Sequence, residues 1–461
     1  MIQPSVHSHV AFQIDDPLLQ RLFDTAEKKL QSNLQDFGGR PVLIEGAEYR
    51  KIWLETQPMG GEMYAKRHME AALNNQLLFM EHQRADGRLP GSIMLENGKV
   101  VPQFNKFQGF CFPAPALNMY YWAQESHDYL RLLQNSLKRF DAYLWRVRDS
   151  NGDGLLESWC VYDTGEDNAL RYGDAPCWWE EDAPPNGYDV VPMASMDIMS
   201  FSYAARAALA KISTILQDGQ NAHWKSLAKE VSAAIEKYFW AEDLGACFDR
   251  DRHGRQMPTL THNNLRCMYW GSFSQPMADR FVKDHLLNSE EFWTGMPLPS
   301  VAANDPLFRN NSGNDWSGQP EGLTYQRAIS ALENYGYHHL IPLLGHRLFK
   351  AIGSECKFTQ QFDTFTGQPS STLDGYGPTM LAVLEYMSRM YGVHVQGQEI
   401  WWGAIGNRQC TYTQEWGDRR YTLISDTHRV TGTVNGKEAF SLDKGLRVVT
   451  DYDGNIVKVI K

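Results

Sequence analysis

The 461-residue chain has no lysine- or arginine-rich block. Its 44 Lys and Arg are outnumbered by 55 Asp and Glu, for a formal net charge of −11. Phosphate backbones are bound by basic faces, so nucleic acid is not an expected partner. Cysteine is scarce and unpatterned: Cys111, Cys160, Cys177, Cys247, Cys267, Cys356 and Cys410 are odd in number and include no C-x-x-C pair. That argues against a disulfide framework or a thiolate zinc site and for free thiols in a reducing compartment. No segment reaches the roughly 20 apolar residues of a membrane span. The stretch from Met1 to Asp16 has neither a basic start nor an apolar run, so no secretory leader is expected. The expected location is cytoplasmic, or periplasmic if a leader has been trimmed, with no membrane partner. The fourteen histidines form no metal-spaced cluster, and no short repeat of fixed length supports a solenoid.

What the chain does have is helical periodicity. After Asp16-Pro17, a capping and first-turn pair, Leu18, Leu22, Ala26, Leu30 and Leu34 fall on one stripe. Similar stripes run through about 58–83, 112–123, 127–147, 192–217, 221–239, 257–271, 275–288, 320–334, 338–353 and 377–391. Eleven helices with turn chemistry at many joints predict an all-α body close to the twelve helices of a six-hairpin α/α toroid. Beyond about residue 397 the period changes to two, with β-branched runs and hairpin signals at Asn435-Gly436 and Asp453-Gly454. The expected organisation is a helical domain, 1–397, and a small antiparallel β module, 398–461, that caps the toroid or binds sugar. Three connections are long, about 148–191, 240–257 and 289–319, and long loops in compact domains are usually functional.

The first of these loops is the most informative. Asp149, Asn151, Asp153, the Leu155 carbonyl and Glu157 present oxygens at alternating positions, as a loop wrapping Ca²⁺ does. It is not an EF-hand, because Cys160 stands at the position that needs a bidentate acid. An Asn-Gly/Asp-Gly turn is the plain alternative. Shortly afterwards come Asp163, Glu166 and Asp167, then Asn168, Arg171, Trp178 and Trp179. Crowded carboxylates raise one another's pKa and can keep an acid protonated, and indole faces stack on sugar rings. The combination points to carbohydrate chemistry, with Asp167 and Glu166 as rival candidates for a protonated acid.

Six segments then carry a resemblance: Trp53-Leu-Glu-Thr, Gln83-Arg-Ala-Asp-Gly-Arg-Leu-Pro-Gly-Ser-Ile, the 149–157 loop, Thr164-Gly-Glu-Asp-Asn, Asn314-Asp-Trp-Ser-Gly-Gln-Pro and Phe358-Thr-Gln-Gln-Phe-Asp-Thr-Phe-Thr-Gly367. In order and spacing, over roughly 40–392, they resemble glycoside hydrolase family 63, which includes processing α-glucosidases and mannosylglycerate hydrolases, with trehalases as cousins. The resemblance implies a six-hairpin toroid and inverting hydrolysis of an α-glycosidic bond. It implies Asp167 as the acid, Ca²⁺ in the 149–157 loop, and Trp53 with Glu55 gripping the terminal sugar. The relatives' W-R-G-P-I-W segment is changed here to Trp316-Ser317-Gly318-Gln319-Pro320-Glu321. The family's base position holds Gln360, which cannot take a proton from water. Glu321, a carboxylate gained nearby, is the expected substitute base, with Gln360 orienting water or sugar. An unsaturated-uronide hydrolase or polysaccharide lyase on the same toroid, and a carbohydrate-binding pseudoenzyme, are the alternatives.

Overall fold

A computed structural model describes residues 6–403, 405 and 407–460. Twelve α-helices follow one another among them: α1 Pro17–Gln31, α2 Gln57–Tyr64, α3 Met69–Glu81, α4 Pro113–Trp122, α5 His127–Val147 and α6 Met196–Leu216. The second half comprises α7 Asn221–Tyr238, α8 Asn263–Trp270, α9 Gln275–Phe281, α10 Gly322–Asn334, α11 Leu340–Ile352 and α12 Gly377–Tyr391. The even-numbered helices pack each against the next, and α12 returns to α2. Odd-numbered helices lie outside them: α1 against α12, α3 against α2, α5 against α4 and α6, α7 against α6, and α11 against α10 and α12.

Burial follows from this placement. An outer helix needs one apolar stripe, and α5 has one: Leu130, Leu133, Leu137, Phe140 and Leu144 are buried. An inner helix is covered all round, so all fifteen residues of α12 and all eight of α2 are buried. The stripe read over 58–83 is two helices, broken at 65–68, where His68 Nδ1 accepts from Ala71 N (3.2 Å) and starts α3. Gly61 allows α2 to approach α3, since a Cβ there would lie 2.6 Å from Asn75 Cβ.

The β region is larger than its sequence suggested. A five-stranded antiparallel sheet runs Ser8–Ile14, Cys410–Trp416, Arg419–Ser425, Arg429–Val434, Lys437–Asp443, with the N-terminal strand as one edge. A four-stranded sheet runs Val393–Gln396, Glu399–Trp402, Arg447–Thr450, Ile456–Ile460. The expected boundary at 397/398 therefore cuts across both sheets: Ser8–Ile14 and Val393–Gln396 belong to them. Asn435-Gly436 and Asp453-Gly454 do turn hairpins, both pairs of flanking strands being antiparallel. These sheets pack against α4 and α12: Trp416 Nε1 donates to the Trp122 carbonyl (3.0 Å) and Asn118 Nδ2 to the Val395 carbonyl (3.2 Å). Among the described residues all seven cysteines are unpaired, and no helix is long and apolar enough to cross a membrane.

Candidate active site

The inner helices begin at the opposite end, and the residues just ahead of them build a cavity. Glu55 precedes α2, Gln108 lies in the approach to α4, and Tyr376 immediately precedes α12. A helix N-terminus carries partial positive charge and favours carboxylates beside it. Here three line a single cavity of about 150 Å³: Glu45, Glu55 and Asp167, with Tyr49, Trp53, Lys106, Gln108, Tyr162, Gly165, Asn314, Trp316, Gln360 and Tyr376. That is well under the roughly 300–1,000 Å³ of drug-sized sites and suits one small polar ring.

Asp167 is half-buried in this wall. Asn314 Nδ2 donates to its Oδ2 (2.7 Å) and Gln108 Nε2 to its Oδ1 (3.5 Å). Burial raises its pKa above the ordinary aspartate value, and these donors and Lys106 oppose the rise without cancelling it. Asn314 Oδ1 in turn accepts from Trp316 Nε1 (2.9 Å) and from Gln360 Nε2 (2.8 Å), while Gln360 Oε1 accepts from Tyr49 Oη (2.9 Å). Gln360 is thus one link of a chain that orients the amide held against Asp167. Glu55 is buried beside Arg327 (3.6 Å). Burial pushes its pKa up to about 8, against the pull of Arg327. Gly165, with φ +72°, lets the Asp167 loop cross Glu55, because a Cβ there would collide with the Glu55 carboxyl. Trp53 stands on the rim between two cations, Lys51 Nζ at 5.1 Å and Lys106 Nζ at 5.7 Å from its ring.

Glu166, the rival acid, lies beneath the cavity. It pairs with Arg171 and accepts from Thr164 Oγ1 (2.8 Å) and Asn263 Nδ2 (3.1 Å). Burial alone would raise its pKa, but Arg171 and Arg266 hold it well below the usual carboxylate range. A carboxylate so held has no proton to give. The same contacts correct the expectation for Arg171: its guanidinium is buried between Glu166 and Asp249 and does not face the cavity. His262, beneath Trp316, is held neutral, with burial and then Arg266 pulling its pKa down to about 4.

Other expected residues also lie elsewhere. Glu321 is the residue before α10, fully buried and outside the cavity wall, and burial pushes its pKa well up. Gln319 is buried against Asn310 (3.1 Å) and Ser370. Asn168 is exposed and steadies the Asn314 carbonyl (3.0 Å). Trp178 is 55% exposed on the surface, and Trp179 donates to the Ala183 carbonyl (2.8 Å); neither lines the cavity. Of the expected binding residues, the structure gathers Trp53, Glu55, Trp316 and Gln360 around Asp167. Sequence reading missed Glu45, Tyr49, Lys106, Gln108, Tyr162 and Tyr376. The polar residues set among aromatics in Phe104-Asn-Lys-Phe-Gln-Gly-Phe110 were the signal available for two of them.

The 149–157 loop is closed by its own hydrogen bonds. Glu157 is turned inward, accepting from Ser150 Oγ (2.9 Å) and Trp159 Nε1 (2.7 Å). Asn151 Nδ2 donates to Asp153 Oδ2 (2.9 Å), and Asp149 Oδ1 accepts from Gly154 N (3.2 Å). Among the described residues no group of three or more His, Cys, Asp or Glu is placed to hold a metal ion. In this arrangement the loop's side chains are engaged with one another, with Ser150 and Trp159, and with the Gly154 backbone.

Carboxylates, carboxamides and indoles around a monosaccharide-sized cavity, at one end of packed helices, define a glycosidase site. A family comparison carries this further: the mannosylglycerate hydrolase MGH1-like glycoside hydrolase domain matches residues 59–378. The chain belongs to that family and is a glycosidase. Among solved structures it is similar to the family 63 mannosylglycerate hydrolase of Thermus thermophilus in complex with Tris (TM-score 0.64, 18% identity, covering 81% of this chain and 100% of that one). It is also similar to the neutral trehalase Nth1 of Saccharomyces cerevisiae (TM-score 0.55, 15% identity, 76% of this chain and 74% of that one). At these identities the likeness speaks for the fold. A comparison with curated proteins found no match.

Proposed function

We propose that the twelve helices form a six-hairpin α/α toroid and that the protein is an inverting, exo-acting glycoside hydrolase of an α-linked oligosaccharide or glycoside. The closed packing of the even-numbered helices supports the first part. The observation that carries the second is Asp167: a carboxyl in the wall of a small cavity, with its pKa raised by burial and its orientation held by Asn314. Asp167 donates its proton to the glycosidic oxygen as the C1–O bond breaks. Water adds to C1 from the opposite face, which for inversion requires a second carboxylate roughly 6.5–9.5 Å from the first. Trp53 and Trp316 offer apolar faces for the ring, and Glu55 a buried acceptor for its hydroxyls.

The test is sugar release from a panel of aryl α-glycosides and α-linked disaccharides, with the anomer of the first product read by NMR. Free sugar of inverted configuration is expected, and an unsaturated, ultraviolet-absorbing product would overturn the reading. Asp167→Asn keeps the shape and removes the proton donor. Its rate on poor leaving groups is expected to fall by about 10²–10⁴, with far smaller losses on activated aryl glycosides.

Structural calcium is a separate proposal. Asp149, Asn151, Asp153, the Leu155 carbonyl and Glu157 would bind Ca²⁺ only by exchanging their present hydrogen bonds for the ion. A ligand bound to the native state alone raises stability, so chelation is expected to lower the melting temperature and added Ca²⁺ to restore it. An unchanged melting temperature ends the proposal.

A further inference from the structure

We propose that Glu45 is the general base, the carboxylate that takes over the role Gln360 cannot fill. This rests on the reading of the protein as an inverting hydrolase and names the residue that reading leaves open.

The candidates narrow quickly. Among the described residues, only Glu45 and Glu55 join Asp167 in bringing carboxylates to the cavity wall. Asp363, near Gln360 in sequence, spends Oδ1 on the turn formed by Phe365 N (3.0 Å) and Thr366 N (2.7 Å) and Oδ2 on Asn310 Nδ2 (2.8 Å). Glu55 lies beside Arg327 and under Gly165, the glycine two residues before Asp167, so it belongs to the acid's own side of the cavity.

Glu45 is held from the other side. Its backbone carbonyl accepts from Gly377 N (2.7 Å), at the start of α12, and its Oε1 accepts from Tyr376 Oη (3.0 Å). The side chain is thereby pinned at one oxygen, and Oε2 is left for the cavity that the residue lines. Tyr376 packs edge-on against Tyr49 (6.1 Å between centroids), and Tyr49 bonds to Gln360. Around the rim, the order from acid to Glu45 is Asp167, Asn314, Gln360, Tyr49, Tyr376, Glu45. The arc passes through Gln360 on the way. Glu45 therefore stands on the wall that carries the position from which relatives supply their base, and two tyrosines fill the space between.

Burial, then Glu55, then Asp167 push the pKa of Glu45 well up, while the Tyr376 hydrogen bond and Arg327 favour the charged form that a base needs. The N-terminus of α12 adds to the favourable side.

The step balances as ordinary hydrolysis. Asp167 gives its proton to the leaving oxygen, which keeps the electron pair of the broken C1–O bond. Water forms the new C1–O bond and passes a proton to Glu45 Oε2. The carboxyls exchange that proton with solvent before the next turnover.

Glycosyl fluorides test this, because fluoride leaves without a proton donor while the attacking water still needs a base. With α-D-glucosyl, α-D-mannosyl and α-D-galactosyl fluorides, Asp167→Asn is expected to keep most of the wild-type rate. Glu45→Gln, whose amide oxygen still accepts from Tyr376, is expected to lose about 10²–10⁴ while keeping its melting temperature. In Glu45→Ala, added azide is expected to produce the glycosyl azide of inverted configuration, which a merely structural role does not predict. Retention of activity by Glu45→Gln to within about threefold, small against the usual worth of a base, overturns the proposal. So does loss in both Glu45 variants with no azide product, which assigns Glu45 to holding the sugar. If wild type releases no sugar or fluoride from any substrate, the hydrolase reading fails first; an active wild type with an unaffected Glu45→Gln fails Glu45 alone.

Discussion

Gln360 uses both ends of its amide, Oε1 accepting from Tyr49 and Nε2 donating to Asn314. A glutamate there would set a carboxylate oxygen against Asn314 Oδ1, which already faces Trp316 Nε1 and cannot turn without taking its donor away from Asp167. The amide therefore matches its surroundings, and its neighbours fix the orientation of the proton donor. Lys106 acts on the same carboxyl through charge. It is one of the groups that lower the Asp167 pKa, so Lys106→Met raises that pKa further. A general acid works while protonated, and its titration ends the alkaline side of the profile. The alkaline limb of kcat/KM is accordingly expected to move to higher pH in Lys106→Met; an unmoved or lowered limb would show that Lys106 does not couple to the acid. Trp53, Glu55, Asp167, Trp316 and Gln360 were legible from local motifs. Glu45, Tyr49 and Tyr376 were not, because what makes them a site is contact between chain segments more than 300 residues apart, and no local pattern records it.

At the scale of elements, legibility followed exposure. Outer helices such as α5 bury one face and were readable by their period, whereas α2 is buried throughout, and its Gln-Pro-Met-Gly-Gly-Glu-Met-Tyr sequence offers no stripe. Its sequence therefore reads as continuous with that of α3. The contact between the two rests on Gly61. Alanine inside a helix is normally favoured over glycine by about 0.8–1.0 kcal/mol. Here its Cβ would meet Asn75 at 2.6 Å, and Asn75 is tied down by Leu43 N (2.9 Å) and Leu43 O (2.8 Å). Overpacking of this kind costs about 1–3 kcal/mol, which exceeds the propensity gain. Gly61→Ala is expected to lower the melting temperature, and a rise would mean that α2 slides freely over α3. The short strand Lys51–Trp53, which sets Trp53 at the rim, leaves no mark in the sequence, because three residues are too few to display a period.

At the scale of the molecule, α2 and α12 begin beside the cavity carboxylates, and α4 and α12 pack against the sheets. Each N-terminus contributes about half a positive charge, and a favourably placed acid gains up to about 2 kcal/mol from it. A cavity holding Glu45, Glu55 and Asp167 needs that compensation. At the far end a buried set of ions, Lys66 with Glu385 (2.7 Å) and Arg447 with Glu333 (2.9 Å), lies where the sheets meet the helices. The change of period near residue 397 was legible in sequence. The edge strand Ser8–Ile14 was not, because its partner, Cys410–Trp416, lies some 400 residues further along the chain. That pairing has a consequence for biosynthesis. The first strand leaves the ribosome about 400 residues ahead of the strand that completes it, an interval of roughly 20–80 s at about 5–20 residues per second. Through that time its backbone donors and acceptors face water or a chaperone, and the arrival of Cys410–Trp416 decides when that edge is sealed.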